Sequence, residues 1–361
     1  MKVRQRWAAF ATAALLPMGC AADTLVYGRL NVALEAVELA HSLSRAALHR
    51  ESNNRSVLGF QGAEDLGDGY RALFQIEGAL AIDTGGGGSF SNRDTRVGLS
   101  APWGQLFLGH WTTPYLQATS GFDPFYPTTA GYMALMGNGS ASTTNHVIDR
   151  ASFDRRQQNV VQYASPAGSS FSARLAYAAN DGDRGPGGSR PDLWSAALSW
   201  DHGPLSFVLA HEIHRAYQGP GLNDSGTKVG WAGRWGDWRV ATAIEQLRYA
   251  LPSGQLRRNA AYASVTRQFG AGSLRLGVTR AGNGVGPAGV RVGAVAAGPR
   301  TGARQWTLGY DYSFSRRTGL YVYASRIANQ SSAAYDFAIN GLGVSAGESP
   351  QVLAAGIRHS F

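Results

Sequence analysis

The chain has 361 residues, a formal charge of +9, 44% hydrophobic and 16% charged residues, and 47 glycines. With a mean hydropathy of -0.19 and no apolar run of helix-spanning length past the first residues, it does not fit a helical membrane protein. Its one cysteine, Cys20, rules out a disulfide framework.

At the N-terminus Lys2, Arg4 and Arg6 precede an apolar stretch from Trp7 to Leu16 that is too short to cross a bilayer. This pattern predicts a signal peptide over residues 1–22, cut after the small residues Cys20-Ala21-Ala22, and a single domain over 23–361. Cleavage removes the cysteine and three cations, so the charge falls from +9 to +6. A lipoprotein reading of Leu16 to Cys20 is disfavoured by Pro17, where an aliphatic residue is wanted. A basic exported chain suits anions, acidic sugars or phosphorylated lipids as partners, and nothing in it points to nucleic acid.

Period-two alternation then runs through the chain. Val26, Gly28, Leu30, Val32 and Leu34 alternate with Tyr27, Arg29, Asn31 and Glu35, and Tyr70, Ala72, Phe74 and Ile76 with Arg71, Gln75 and Glu77. Trp194, Ala196, Leu198 and Trp200 follow the same rule, as do Trp306, Leu308, Tyr310, Tyr312 and Phe314. One face suits lipid and the other water. A soluble sandwich also alternates, but aromatic residues gathered at strand ends, such as Trp231, Trp235 and Trp238, match the interfacial girdle of a membrane barrel.

Short turns are expected at 64–69, 101–104, 165–168, 201–204, 235–238, 269–272 and 315–319, each rich in Gly, Pro or Asp. Longer segments lie between them, near 40–52, 83–91, 112–155, 179–191, 213–226, 248–257, 281–302 and 328–349. Seven turns and eight loops join sixteen strands. The fold class expected is all-β, a 16-stranded antiparallel transmembrane β-barrel, wide enough for an aqueous lumen.

Several segments together resemble the Gram-negative general porins of the neisserial and burkholderial type. They are Val26 to Arg29, Asn53 to Gly67, Phe74 to Glu77, Asn92-Arg93, Val97 to Leu99, Leu108 to His110, Asn159 to Pro166 and Gly356 to Phe361. The resemblance covers the whole mature chain. It implies an outer-membrane, trimeric, water-filled channel for small hydrophilic solutes and ions, with no cofactor, whose third loop folds into the lumen and narrows it.

Residues 112–155 occupy the place of that loop. Phe122, Phe125, Tyr126, Tyr132, Met133, Leu135 and Met136 can anchor it, and Asp123, Asp149 and Asp154 make it acidic. On the wall, alternation points Arg29, Arg71 and Arg96 inward with Gln75 and Glu77; Arg55 and Arg93 join them on the resemblance alone, and Arg150 or Arg156 near the loop's return. A basic wall (Arg29, Arg55, Arg71, Arg93, Arg96, Arg150, Arg156) facing acids (Asp123, Asp149, Asp154, Glu77) would filter solutes by charge and size. Val57, Gln61 and His110 stand where the family carries arginines, so the ladder is incomplete; a mild anion preference is expected.

Enzyme motifs are weak. Gly343-Val344-Ser345-Ala346-Gly347 and Gly284 to Gly289 lie in loops without the helix that each motif needs. His211 and His214 fall on opposite faces of a strand and cannot share a metal. The alternatives are a substrate-specific channel with a sugar-stacking track, for which Tyr321 and Tyr323 are the weak candidates, and a hydrolase barrel, for which no triad assembles. Phe361 ends an alternation through Leu353, Ala355, Ile357 and His359, resembling the aromatic-ended strand read by the outer-membrane assembly machinery. Outer-membrane lipid and lipopolysaccharide are the remaining expected partners.

Overall fold

The computed structural model describes residues 23–41, 47–87, 89–131, 135–139 and 145–361. The signal-peptide reading of 1–22, and Tyr132 and Met133, lie outside the described residues.

Sixteen antiparallel strands form a closed barrel. β1 is Asp23–Ala40, and β2 is one strand in two parts, Leu48–Asn53 and Ser56–Gly67. β3 is Tyr70–Ala81, β4 Thr95–Ala101, β5 Gly104–Thr112, β6 Arg156–Ala164, β7 Phe171–Ala178 and β8 Asp192–His202. β9 is Leu205–Arg215, β10 Asn223–Trp235, β11 Trp238–Leu251 and β12 Gly254–Phe269. β13 is Gly272–Ala281, β14 Ala303–Ser313, β15 Thr318–Asn329 and β16 Ser349–Ser360. Each strand pairs with the next in sequence, and β16 pairs with β1 from Arg29↔Ser360 to Ala40↔Ser349, which closes the ring.

Burial runs opposite to that of a soluble protein. Leu34 is 70% exposed, and Leu274, Leu276, Val278, Leu308 and Trp306 are exposed, whereas Glu35, Lys228, Glu245 and Arg258 are buried. Large apolar side chains turned out and charges turned in require lipid outside and polar partners inside. At the short-turn ends Trp235, Trp238, Phe269, Tyr312 and Phe314 are all exposed, forming the expected aromatic girdle.

The expected short turns all occur. One loop does not: between Leu251 and Gly254 only Pro252 and Ser253 intervene, so 248–257 is not a long segment. Arg248 and Arg257 interrupt the apolar rows there and read as loop residues, yet they pair across two long strands as Arg248↔Arg257. The loop expected over 213–226 is likewise shortened to 216–222.

β2 carries an extra residue against β1. Arg29 pairs with Val57 and Val32 with Asn53, so four steps on β2 match three on β1. Arg55 takes φ 57° at this bulge. Such a bulge re-aims side chains: Arg50 and Ser52 above it and Val57 and Gln61 below it share the inward face despite their opposite parity.

Candidate channel constriction

The segment 113–155 begins with Thr113-Pro114, where the fixed φ of proline suits the first position of the short helix α1, Pro114–Ser120. Tyr115 donates its backbone N–H to Ser195 Oγ (3.1 Å) and its hydroxyl to Glu245 Oε2 (2.9 Å). Three aromatic rings next sit against glycines of the wall. A Cβ at Gly230 would lie 2.6 Å from Phe122, at Gly309 2.8 Å from Phe125, and at Gly226 2.7 Å from Phe153. Any side chain at these glycines would displace the rings, so the close approach explains the glycines.

Backbone groups of the segment, and the Thr129 hydroxyl, are bonded around the ring. Ser264 Oγ donates to the Phe122 carbonyl (2.9 Å), Gln305 Nε2 to that of Ala130 (2.9 Å), and the Thr129 hydroxyl to Glu35 Oε1 (2.6 Å). Thr129 N–H donates to Asn54 Oδ1 (3.0 Å), Gly137 N–H to Glu245, and Arg258 to the Leu135 carbonyl. Leu135 and Met136 are fully buried, and Phe153 stacks on His214 with centroids 4.1 Å apart. These partners lie on β1, β2, β8, β9, β10, β11, β12 and β14, all on the face opposite the apolar band.

The loop's acids are consumed in this anchoring. Asp123 accepts from Phe125 N–H (2.9 Å) and Tyr262 Oη (3.1 Å). Asp149 accepts from the N–H of Ala151 and Ser152 (2.8 and 3.0 Å). Burial pushes the Asp149 carboxyl up, but Arg155 and these bonds hold it below the usual carboxylate range. Asp154 pairs with Lys228, whose Nζ also lies 3.8 Å from Glu245 and 4.2 Å from the centre of the Tyr115 ring. Arg258 completes the group, 3.3 Å from Glu245. Burial and the neighbouring carboxylates push Asp154 up to about 6 despite Lys228. The loop's acids therefore do not line up against the arginines as expected; they neutralise Lys228 on β10, accept from Tyr262 on β12 and bind backbone donors of the segment itself.

The arginines gather on the other side. Arg29 donates Nη2 to the Arg55 carbonyl (3.0 Å), and Arg55 donates Nη1 to Tyr126 Oη (3.0 Å). Arg93 pairs with Glu77 (2.7 Å), which also accepts from Tyr27 Oη (3.1 Å). Arg156 pairs with Asp94 (2.7 Å). Burial raises the Asp94 carboxyl, but Arg156 and the Thr112 hydroxyl outweigh it and hold it low. Arg96 stacks on Phe107 and Trp111, 4.6 and 4.3 Å from their centres. Arg71 is exposed near the short-turn end, beside a cavity of about 310 Å³ that Gln61, Gln75 and Arg96 also line. Arg358 of β16 lies within electrostatic reach of Arg29 and 3.4 Å from Asp311. Arg150 is not part of this group: it stands beside β10, where its carbonyl accepts from Gln218 (3.1 Å). Arg29 has no carboxylate at ion-pair distance among the described residues. Asp94, Lys228, Glu245, Arg258 and Arg358 were not singled out as site residues; inward alternation was the available signal for the four on strands, whereas Asp94 lies in the loop before β4.

The family model for the Gram-negative porin matches residues 8–332. The chain belongs to that family. Outer membrane porin protein 32 of Delftia acidovorans is 28% identical over 327 residues, 88% of each chain. An outer membrane porin protein of Bordetella pertussis is 27% identical over 329 residues, 81% of this chain and 82% of that one. The anion-selective porin from Comamonas acidovorans superposes with a TM-score of 0.78 at 22% identity, covering 94% of this chain and 100% of that one.

This porin is thus an outer-membrane diffusion channel and not an enzyme. Its serine and glycine motifs sit in loops: Ser345 N–H is tied to Glu348 (2.8 Å), and Gly284 N–H to Thr301 Oγ1 (3.0 Å). His211 is exposed and meets Thr227 (2.9 Å), whereas His214 is buried against Glu212 (2.8 Å), on opposite faces as the alternation requires. Tyr321 and Tyr323 are buried, stacked on each other and bonded to Asn31 (2.7 Å) and Glu35 (3.1 Å), so they offer no open track for a sugar.

Proposed function

We propose that this porin is a homotrimeric, mildly anion-preferring channel whose segment 113–155 crosses the lumen as the constriction. The observation that carries the selectivity is the imbalance of charge: the loop's acids are spent on Lys228, Tyr262 and backbone donors of the segment itself, while Arg29, Arg55, Arg93, Arg156 and Arg358 stand close together with Glu77 and Asp94 among them. A surplus of fixed cations at a narrow point favours anions. The anion-selective description of the Comamonas protein supports the same reading.

Trimer formation is favoured by the uneven wall. β4 and β7 have only seven and eight residues, and β5 and β6 nine each, while a tilted strand needs about 9–11 to cross the hydrocarbon. β11 and β12 have 14 and 16. The low side is best shielded by neighbouring copies rather than by lipid. Lipid and lipopolysaccharide then contact the tall side, and the assembly machinery recognises the β16 end at Phe361.

One planar-bilayer recording tests both points. Conductance steps should come in threes, and a potassium chloride gradient should give an anion-favouring reversal potential that shrinks in Arg29→Gln. A cation-favouring reversal potential would overturn the selectivity, and single unlinked steps the trimer.

A further inference from the structure

A long loop at the end of a barrel is ordinarily polar and solvated, yet the loop between β13 and β14, residues 282–302, buries two valines. Val292 and Val295 face each other in a small hairpin in which Arg291 also pairs with Ala296. Both valines belong to one buried apolar cluster with Tyr115, Phe153, Tyr249 and Leu256. Tyr249 and Leu256 stand in the inward rows of β11 and β12, so the hairpin bends over the interior of the ring. Its base is tied to the wall separately. Arg257 and Val285 exchange backbone hydrogen bonds, both 2.8 Å, and Asn283 Oδ1 accepts from the N–H groups of Thr301 and Gly302 (3.0 and 2.9 Å).

The tip meets the segment 113–155 at Asn138, a buried side chain that joins three elements. Its Nδ2 donates to Tyr249 Oη on β11 (2.8 Å) and to the Val292 carbonyl (2.9 Å), and its Oδ1 accepts from Ala294 N–H (2.9 Å). Tyr249 Oη in turn donates to the Ala151 carbonyl (2.6 Å), and Phe153 N–H to that of Gly137 (2.7 Å), so both limbs of the segment are engaged. Gly293, at φ 57°, lies against both limbs: a Cβ there would be 2.8 Å from Asn138 and 2.9 Å from Ala151 Cβ. Only glycine allows that approach.

We propose that the hairpin 291–296 is a clasp that holds the segment 113–155 from the loop side, with Asn138 as the positioning residue that keeps the segment from swinging across the channel under voltage. The proposal rests on reading that segment as the constriction. Charged residues on its return limb, such as Asp149 and Arg150, give a membrane potential a grip on it. The bonds to the wall hold the segment at its sides, and the clasp adds a hold from above.

The test uses the full-length porin in planar bilayers of potassium chloride, with voltage-driven closure as the readout. Asn138→Ala removes the bonds to the hairpin and to Tyr249, and should raise the closed fraction at a given voltage roughly tenfold over the wild type. A second variant makes the hold switchable. Cys20 is the chain's only cysteine, so Ala151→Cys/Gly293→Cys in a Cys20→Ala background can form one disulfide once the two Cβ atoms move apart to about 3.8 Å. Reduced, the crowded pair should loosen the clasp and close as readily as Asn138→Ala; oxidised, it should stay open, reversibly. If Asn138→Ala gives no compact band on unheated gels, the cysteine pair alone decides. Hydrogen exchange at the Phe153 amide separates this claim from the one beneath it. Faster exchange in Asn138→Ala without added closure would keep the clasp and refute 113–155 as the constriction. Exchange and closure both at the wild-type level, failure of the disulfide to form, or equal closure of the reduced and oxidised pair would overturn the clasp.

Discussion

Lys228 has no exposed surface and touches Asp154 in a group that also holds Glu245, Arg258 and the Tyr115 ring. Removing one partner of a buried pair leaves the other uncompensated, at a cost of roughly 3 kcal/mol or more. Lys228→Met should therefore lower the melting temperature and raise current noise, and Asp154→Asn added to it should recover part of the loss; no recovery would mean that Lys228 acts through packing. None of this was readable from the sequence, where Lys228 stands in an ordinary alternating strand 74 positions from its partner. Which acid meets which base is decided by the register of strands far apart in the chain. His146 presents a second case. Its Nε2 donates to the Ala179 carbonyl (3.0 Å), so Nδ1 accepts the Tyr217 hydroxyl (2.6 Å), and the ring is neutral. Burial pushes its pKa down to about 4, with Arg155 adding to the effect and the Ala179 bond opposing it. The unfolded chain, titrating near 6.5, binds the proton more readily, so the stability contribution is full above about pH 6.5. It falls by up to about 1.4 kcal/mol per pH unit as the pH drops towards 4. The raised pKa of Asp154 has the opposite sign and adds stability on acidification. The informative quantity is thus the difference between the wild type and His146→Gln: the wild type should lose more stability between pH 7 and 4.5, and parallel melting curves across that range would refute the assignment.

Among the elements, the segment 113–155 depends on glycine as much as on its own aromatics. Phe125 sits against Gly309, and a side chain there would also meet the Val322 carbonyl at 3.0 Å. Gly309→Val should force the ring away at a cost of about 1–3 kcal/mol, seen as a lower melting temperature and an altered single-channel conductance; unchanged conductance would show that Phe125 does not position the segment. The apolar anchors Phe122, Phe125, Leu135 and Met136 were legible, because they are too apolar for a solvated loop, whereas Phe153 was not. Strands such as Trp306 to Phe314 were legible for a related reason, since lipid on one face enforces strict alternation. The β11–β12 hairpin was not, because its outward rows end in Arg248 and Arg257, and outward arginines resemble loop residues until their register is known. The bulge at Arg55 was equally hidden: a change of parity looks like the end of a strand.

For the whole molecule, the seam between β1 and β16 is where the ring closes. Phe361 exchanges backbone hydrogen bonds with Gly28, both 3.1 Å, and its ring lies where a Cβ of Gly28 would be only 2.4 Å away. Deleting Phe361 should lower the folded yield and slow the appearance of the compact band on unheated gels; an unchanged time course would refute its role at the seam. The strand count was legible from the rhythm of turns and loops, but the seam's geometry was not, because its two strands sit at opposite ends of the described residues. Every other ladder of the barrel joins strands that follow one another along the chain. Most of those can zip as hairpins at small entropic cost, and even β5 and β6 are separated only by the segment 113–155, whereas β1 and β16 must find each other across more than three hundred residues. The kinetic burden of making a ring is thereby collected into one late encounter, and until it happens the chain has two open edges exposed to other chains.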